Sequence, residues 1–325
     1  MKAMVIKAHG GPEQLEVREL PIPRPRAGEV LVEIRAFGIN RAETYMRRGL
    51  WGDVAAVSGI ECVGQIAEDP SGHYRTGQKV AAIMGGMGRT INGSYAEYCC
   101  PPATNVFPLD TDLEWARLAA IPESYATAWC CLHDNLRLRP GDTLFVRGGT
   151  SALGQAAINI AAAIGDVTVL ASTRDPKRRA RLESLGCHKV YIEQAGLGET
   201  LRAEYPRGID SVMDIVGNST LLDSLKMARK GGRVCNAGFL GGSDPILFNP
   251  LSDMPSCVDL NFFASFMLGT PDFPLADIPM QAIVDRVADE TYQARPTRVF
   301  DFADIGEAHR LMESNLAVGK LVVIV

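Results

Sequence analysis

The sequence has no hydrophobic run long enough to cross a membrane and no excess of positive charge. None of its apolar stretches reaches the roughly 18 residues that a span needs, and the start (MKAMVIKA) predicts a strand instead of a secretory leader. Its 33 basic and 38 acidic residues leave a net charge of −5, which argues against binding to nucleic acid or to a membrane surface. We therefore expect a cytoplasmic protein with neither kind of partner.

The chain also lacks the cysteine and histidine spacings that metal sites use. Its eight cysteines include the adjacent pairs Cys99-Cys100 and Cys130-Cys131 but no C-x-x-C, and adjacent thiols make poor tetrahedral chelates. The five histidines are scattered, without the spacing of a metal site or a catalytic triad. In a chain of 325 residues, this pattern predicts reduced, mostly buried thiols and no metal site.

What the sequence does contain is a clear strand, glycine turn, helix and second strand. Thr143–Val146 is an apolar, β-prone run typical of a strand buried on both faces. Gly148 and Gly149 follow, and small or apolar residues then recur at helical spacing over 153–164. Val167–Ala171 supplies the next strand. This order is typical of the first βαβ unit of a dinucleotide-binding fold.

The turn is predicted to bind the phosphates of a dinucleotide. A helix that begins directly after such a turn offers unpaired N–H groups and the positive end of its dipole. The G-x-G-x-x-G spacing is not met, because only Gly148, Gly149 and Gly154 are present, and an ordinary strand-to-helix turn is the alternative. The residues predicted to contact the coenzyme here are Gly148, Gly149, Thr150, Ser151, Ala152 and Leu153.

The end of the second strand predicts NADPH as the coenzyme. Folds that prefer NAD place an acidic residue there to bind the ribose hydroxyls, and this chain has none. It has Ser172 and Thr173 followed by Arg174 and Lys177, two hydroxyls and two cations suited to a 2′-phosphate. A solvated, basic helix start is the alternative interpretation of this cluster.

The order of strands and helices predicts two domains, with the dinucleotide-binding domain inserted between the two halves of the other. Short strands with Gly and Pro between them fill the first 120 or so residues and predict a barrel-like β domain. Further strands alternate with helices up to about residue 271 and predict a doubly wound parallel sheet. We predict domains at 1–122 with 272–325 and at 123–271, an α/β organisation.

Two later strands of this sheet end in residues suited to contact the coenzyme. Val216-Gly217 and Ala237-Gly238 each follow an apolar strand, at the sheet edge where such folds bind ligands. The run Val258–Phe266 has the length and apolarity of one more strand at an edge of the sheet. Because exposed edges pair readily, we expect a homodimer.

With these pieces in view, the chain resembles the medium-chain dehydrogenase/reductase superfamily, in its zinc-independent, quinone oxidoreductase-like (zeta-crystallin-like) branch. The matching segments are FGINRAETYMRRG, SGIECVG, GSYAEY, VRGGTSALGQAA, DIVG, GGRVCNAG and EAHRLMES with GKLVVIV. The resemblance implies a GroES-like β-barrel catalytic domain, a Rossmann domain, and NADPH bound in the cleft between them.

The departures from the zinc-dependent relatives fall on the metal ligands. Where those relatives have a cysteine, this chain has Asn40, and their G-H-E motif appears as Gly59-Ile60-Glu61. Near the third expected ligand the sequence is Pro122–Tyr125, and 79–98 lacks the four cysteines of a structural zinc site. Catalytic zinc needs three protein ligands, so zinc is not expected.

Without a metal, the reaction implied is hydride transfer from NADPH to a quinone or an α,β-unsaturated carbonyl, in which negative charge is delocalised. The resemblance places the loop of Asn40 and Tyr45 beside the nicotinamide. These two are the candidate catalytic residues, as donors to the substrate oxygen or, for Tyr45, as a pocket wall. Glu43 is predicted to hold the loop and Tyr95 to pack.

Four further positions match residues that line the coenzyme or substrate cleft in the family: Thr127, Phe263, Phe266 and Lys320. Lys320 is also compatible with a surface lysine. Glu193 stands where several bacterial relatives have a tyrosine on the adenosine phosphate, and an acid there would repel that phosphate unless it points away.

Two other functions stay open at this point. The same fold accommodates enoyl reductases that act on acyl chains, from which only pocket size would separate this protein. Some members of the superfamily serve as crystallins or assembly factors, so a non-catalytic NADPH-binding structural or regulatory protein is the third hypothesis.

Overall fold

The computed structural model describes all residues, 1–325, and divides them into two compact units. The first unit comprises Met1–Glu123, Ser265–Glu290 and Ala294–Val325, and the second comprises Ser124–Ala264 with Thr291–Gln293. None of the helices combines the length and apolarity that a membrane crossing requires.

The first unit is built mainly from short β-strands. The strands are β1 Lys2–Ile6, β2 Leu15–Glu19, β3 Leu31–Ile39, β4 Glu61–Glu68, β5 Lys79–Ile83, β6 Tyr98–Cys99, β7 Val106–Pro108, β14 Arg298–Asp301 and β15 Leu321–Ile324. A seven-stranded sheet has the order β14-β15-β3-β4-β5-β7 with β6 paired to β3, and β1 and β2 form a separate antiparallel pair. All neighbours in the large sheet are antiparallel except β14 and β15.

The helices of this unit are short and lie between or after the strands. They are α1 Arg41–Arg47, α2 Trp115–Leu118, α9 Met280–Ala288 and α10 Ile305–Glu313, while α3 Pro122–Cys130 leads from the first unit into the second. Alternate residues of β3 and its neighbours form one apolar core, to which α10 contributes Ile305 and Ala308.

The second unit contains a six-stranded sheet with helices between its strands. The strands are β8 Thr143–Arg147, β9 Thr168–Thr173, β10 Lys189–Ile192, β11 Ile209–Asp214, β12 Ala228–Asn236 and β13 Asp259–Phe262. Every neighbouring pair is parallel, in the order β10-β9-β8-β11-β12-β13. The helices are α4 Ala152–Ile164, α5 Arg179–Ser184, α6 Leu197–Glu204, α7 Leu221–Met227 and α8 Pro250–Asp253. The order reverses beside β8, as in doubly wound dinucleotide-binding sheets, and the predicted fold class is confirmed.

Three boundaries differ from those predicted. The expected strand Val258–Phe266 is only β13, Asp259–Phe262, because the chain turns into a 3₁₀ turn at Ser265–Met267. The first unit resumes at Ser265 instead of residue 272, where the Leu268 carbonyl accepts a hydrogen bond from Asn105 at 2.9 Å. The short return Thr291–Gln293 belongs to the second unit, since Tyr292 stacks on Tyr125.

Candidate functional site

In the second unit, the turn after β8 approaches helix α4 as closely as glycine allows. Gly148 has φ +88°, and a Cβ on Gly154 would lie 2.6 Å from the Gly148 carbonyl oxygen. Ser151 begins the helix: its hydroxyl accepts from the Gly154 N–H at 3.0 Å and donates to the Gly148 carbonyl at 2.9 Å. Ser151 thus stands where the G-x-G-x-x-G motif has its second glycine, and Gly154 stands at the third, which allows close packing. Thr150 and Leu153 are half-buried beside the N-terminus of this thirteen-residue helix.

The two predicted cations at the end of β9 extend into solvent without a partner. Ser172 and Thr173 are buried, whereas Arg174 and Lys177 are exposed and neither forms an ion pair. The nearest acid in sequence, Asp175, accepts from the Lys177 backbone N–H at 3.0 Å. Its carboxylate also pairs with Arg178 at 3.5 Å. The guanidinium and the ammonium are therefore available to a phosphate.

Glu193 is held at the same strand ends by a buried arginine. Arg147, only 1% exposed, donates from Nε to both Glu193 carboxylate oxygens at 3.1 and 3.2 Å and pairs with Asp223 at 2.9 Å. The Ser172 hydroxyl donates to Glu193 at 2.7 Å. The charge of Glu193 is thus partly balanced, although its carboxylate lies beside a hydroxyl predicted to bind phosphate. Sequence reasoning missed Arg147, whose signal was a cation at the end of an otherwise apolar strand.

The structure brings the other predicted strand ends close to the glycine turn. A Cβ on Gly148 would lie 3.5 Å from Val216, and one on Gly217 would lie 2.3 Å from the Gly238 carbonyl oxygen. Asp214 shapes this edge by accepting from the Val216 and Gly217 N–H groups at 2.9 and 2.8 Å. The remaining predicted residues of this unit are the half-buried Ala152 and Ala237, the half-exposed turn at Gly238, and the buried Gly149, Thr127 and Phe263.

In the first unit, Asn40 lies between an ammonium and two carboxylates. Its side-chain oxygen accepts from Lys320 Nζ at 2.6 Å, and its Nδ2 donates to Glu61 Oε1 at 2.8 Å. Lys320 and Glu61 also form a direct ion pair with side chains 3% and 0% exposed. Burial lowers the pKa of Lys320, but the Glu61, Glu123 and Glu43 carboxylates outweigh it, so the pKa lies above the usual 10.5. Lys320 is therefore not the surface lysine that the sequence also allowed.

A glycine makes room for this ion pair. A Cβ on Gly38 would lie 2.2 Å from Lys320 Cε and 2.5 Å from Glu61 Oε1. In the FGIN motif, Asn40 thus holds the ammonium, and Gly38, two residues earlier, must lack a side chain.

Glu43 joins the turn that carries Asn40 to the turn before Glu61. Its carboxylate accepts from the Asn40 N–H at 2.6 Å, the Ile60 N–H at 3.0 Å and the Tyr95 hydroxyl at 2.7 Å. Burial raises the pKa of Glu43 from 4.5 to about 7, although these hydrogen bonds oppose the shift. Tyr95, predicted only to pack, does stack on Phe37 with ring centroids 4.9 Å apart, and its hydroxyl serves Glu43 as well.

The other two predicted residues of this unit lie at its surface. Tyr45 is half-buried on α1; burial raises its pKa, opposed by the charges of Arg41 and Arg48. Phe266 is 40% exposed, with the Arg89 guanidinium 4.9 Å above its ring.

The comparisons with known proteins agree with this geometry. Residues 26–111 match the alcohol dehydrogenase GroES-like domain family, and residues 152–279 match the zinc-binding dehydrogenase family. The quinone oxidoreductase of Mus musculus is 28% identical over 270 residues, which cover 78% of this chain and 77% of that protein. The quinone oxidoreductase of Lama guanicoe is 26% identical over 341 residues, covering 100% and 97%.

The chain belongs to the medium-chain dehydrogenase/reductase superfamily. Its place is the quinone oxidoreductase-like branch, as predicted, and it is a reductase that uses a nicotinamide coenzyme. The mycobacterial protein Rv1454c, whose structure is a complex with NADPH, has the same fold: its TM-score is 0.87 at 23% identity, with each chain covered completely.

The residues of this reductase do not fit the zinc centre that the name of one matching family implies. Asn40 offers an amide, Ile60 offers no donor, and the Glu61 carboxylate is already paired with Lys320. Nowhere in the chain do three or more His, Cys, Asp or Glu side chains converge as metal ligands. Zinc takes thiolate, imidazole or carboxylate ligands, and an ammonium lies beside the carboxylate instead.

The reductase should lose stability as Glu43 ionises. A folded-state pKa of about 7 exceeds the ordinary 4.5, so the native state keeps a proton that the unfolded chain has released. The free energy of unfolding should therefore fall by roughly 3 kcal/mol as pH rises from 4.5 to 7. Urea unfolding of wild type and Glu43→Gln between pH 5 and 8 measures the contribution of Glu43. The contributions of all other carboxyls cancel in the difference between the two free energies of unfolding. A difference that does not change with pH would contradict the assignment.

Proposed function

We propose that the protein is an NADPH-dependent reductase that transfers hydride to a quinone or an α,β-unsaturated carbonyl without zinc. The observation that carries the proposal is the ion pair of Lys320 with Glu61 beside Asn40; the resemblance puts a zinc-ligating cysteine of the metal-dependent relatives at the position of Asn40. A site without a Lewis acid suits acceptors that delocalise the developing negative charge themselves.

The second unit has the groups that a phosphorylated dinucleotide needs. The turn at Gly148 and the N-terminus of α4 offer backbone N–H groups and a positive dipole to the pyrophosphate. Arg174 and Lys177, exposed and unpaired, bind the 2′-phosphate, and Arg147 offsets the charge of Glu193 beside it. When bound, the coenzyme supplies the hydride.

In the first unit, Asn40 is the group that acts on the acceptor oxygen. One of its amide hydrogens is committed to Glu61 at 2.8 Å, whereas the other faces Glu43 Oε1 at 3.5 Å, the limit of a hydrogen bond. That weakly held hydrogen is the one available to a developing oxyanion. Lys320 and Glu61 fix the amide, and Tyr45 donates from the edge of the pocket or forms its wall.

Rapid-mixing measurements of coenzyme oxidation test the proposal. NADPH is mixed with quinones, small enones and enoyl thioesters of increasing chain length, using protein whose metal content has been measured. We expect turnover with quinones or small enones by metal-free protein. Turnover only with long thioesters would favour the acyl-chain reductase, and coenzyme binding without turnover would favour the non-catalytic function. Stoichiometric zinc in active protein would contradict the proposal.

We also propose that the reductase is a homodimer that pairs through β13. This strand forms an edge of the six-stranded sheet, and Phe262 on it is 51% exposed. Open strand edges pair readily with a second chain. Light scattering at micromolar concentration should give twice the chain mass of 35.1 kDa, and Phe262→Glu should shift the protein to the monomer. A monomeric mass for wild type would refute the dimer.

A further inference from the structure

A chain of buried hydrogen bonds continues from Glu43 into the core of the first unit. The Tyr95 hydroxyl contacts Glu43 Oε2 at 2.7 Å and His309 Nε2 at 2.8 Å. On the other side of the imidazole, Arg47 Nε donates to His309 Nδ1 at 3.3 Å. Each of the four side chains is fully buried, with 0% exposure. So much buried polar surface is retained only where its partners are complete.

The donors and acceptors of this chain allow one consistent direction. Because Arg47 can only donate, His309 Nδ1 must accept, and the neutral imidazole carries its proton on Nε2. Burial and the Arg47 charge lower the pKa of His309 to about 3, so the ring stays neutral. His309 then donates to the Tyr95 oxygen, which leaves the Tyr95 hydroxyl to donate to Glu43.

Every group that contacts the Glu43 carboxyl is therefore a donor. They are the backbone N–H groups of Asn40 and Ile60, the Tyr95 hydroxyl and, more distantly, the Asn40 amide. A proton on Glu43 has to displace one of them. If the Tyr95 hydroxyl donated to His309 instead, Nε2 would have to accept. The imidazole proton would then be on Nδ1, which faces the Arg47 donor. This chain of hydrogen bonds thus favours the ionised form of Glu43 and opposes the rise in its pKa that burial causes.

We propose that Tyr95 and His309 are positioning residues of the reductase, which fix the Asn40 turn through Glu43. This inference rests on the proposed function, in which Asn40 contacts the acceptor. When Glu43 is a carboxylate, its hydrogen bonds to the Asn40 and Ile60 N–H groups hold two turns in place. The side chains of Asn40 and Glu61 on these turns contact Lys320. With Glu43 protonated, one bond is lost and the amide of Asn40 shifts.

Other charged groups also act on this site and stay the same in the variants used to test it. Arg47 is anchored by the Gly10 carbonyl at 2.6 Å and by Glu313, so its charge is held in place. The charged groups that face Glu43 or its hydrogen-bond partners are Lys320, Glu61, Glu123 and Arg47, and the neutral titratable groups there are Tyr95 and His309, which the variants replace.

Tyr95→Phe removes one hydroxyl and leaves the ring that stacks on Phe37. Loss of a bond to a carboxylate should raise the pKa of Glu43, so that less of it is ionised at pH 7. We expect kcat at pH 7 to fall roughly fivefold, as the ionised fraction of Glu43 falls from about one half to about one tenth, with the KM for NADPH unchanged. The inflection in the pH profile of kcat should move to higher pH by about one unit, so activity recovers in alkaline buffer.

Tyr74→Phe is the matched control. It also removes a tyrosine hydroxyl from the first unit, one that donates to the carbonyls of Ala103 and Val106 at 3.1 and 3.2 Å. Its pH profile should be that of wild type. His309→Leu keeps the Tyr95 hydroxyl but removes the group that orients it, so its pH profile should move in the same direction by a smaller amount. His309→Gln, which keeps a donor and an acceptor, should restore most of the activity. A wild-type pH profile in folded Tyr95→Phe and His309→Leu would overturn the proposal.

A second measurement does not depend on turnover. In protein labelled with carbon-13 at the glutamate carboxyl, NMR follows the titration of Glu43, identified by its absence in Glu43→Gln. Tyr95→Phe should move this titration to higher pH, and Tyr74→Phe should not. If no acceptor is reduced but the titration moves, the proposed function is refuted while the role of the hydrogen-bond chain in setting the pKa of Glu43 is supported. If acceptors are reduced and the titration does not move, only the positioning role fails.

Discussion

Replacing Arg174 and Lys177 together by alanine is expected to lower kcat/KM for NADPH about a hundredfold or more. Each charge-assisted hydrogen bond to a phosphate contributes roughly 1.5–3 kcal/mol, and about 1.4 kcal/mol corresponds to a factor of ten. Both side chains are exposed and have no competing ion pair, so their loss should leave the fold unchanged. Steady-state kinetics with each coenzyme in turn measure the effect.

NADH and a neighbouring arginine supply the controls for this experiment. NADH lacks the 2′-phosphate, so its kcat/KM should be nearly the same in the double variant and in wild type. Arg179→Ala removes an exposed arginine at the start of α5 and should leave both coenzymes unaffected. Equal efficiency of wild type with NADH and NADPH would refute the coenzyme assignment and direct attention to Glu193, whose carboxylate lies 2.7 Å from the Ser172 hydroxyl.

Lys320→Met is expected to destabilise the reductase by about 3–5 kcal/mol and to abolish most of its activity. Removing one member of a buried ion pair leaves the other charge without compensation, and here the Glu61 carboxylate would remain fully buried. Asn40 would lose the donor at 2.6 Å that orients its amide. Urea unfolding followed by circular dichroism measures the stability, and coenzyme oxidation measures the activity.

An exposed ion pair and a double variant test the reason for this loss. Lys226 and Glu199 are 3.7 Å apart with side chains 50% and 77% exposed, and Lys226→Met should change stability by less than about 1 kcal/mol. Lys320→Met combined with Glu61→Gln should recover part of the stability, because no buried charge is left alone. Activity should not return, since Asn40 is still not held. Similar effects of Lys320→Met and Lys226→Met would show that the buried pair contributes little.

The buried ion pair gives the site of the first unit a fixed cation of its own. Lys320 donates to Asn40 and pairs with Glu61, so the cation between these two side chains is an ammonium that the chain itself provides. An ammonium neutralised by a carboxylate orients its neighbours without acting as a Lewis acid, which suits the metal-free hydride transfer that we propose.

The sequence by itself determined the second unit almost completely. Its strand β8, the turn at Gly148 and helix α4 follow from apolar periodicity and from glycine, which act over a few residues along the chain. The parallel, doubly wound character of the sheet follows from the alternation of strands and helices, whereas the order of its strands was visible only in the structure. The superfamily was recognisable for the same reason, since its motifs are short and contiguous.

The tertiary structure alone decided which charged groups meet. Lys320 and Asn40 are 280 residues apart in the chain, Tyr95 and His309 are 214 apart, and Arg147 and Glu193 are 46 apart. Local patterns carry no signal for such pairs: a lysine before a last strand looks like a surface residue until β4, two strands away in the folded sheet, presents the Glu61 carboxylate. Burial of these charges is tolerated only when every partner is in place, and that condition is set by the packing of the whole unit.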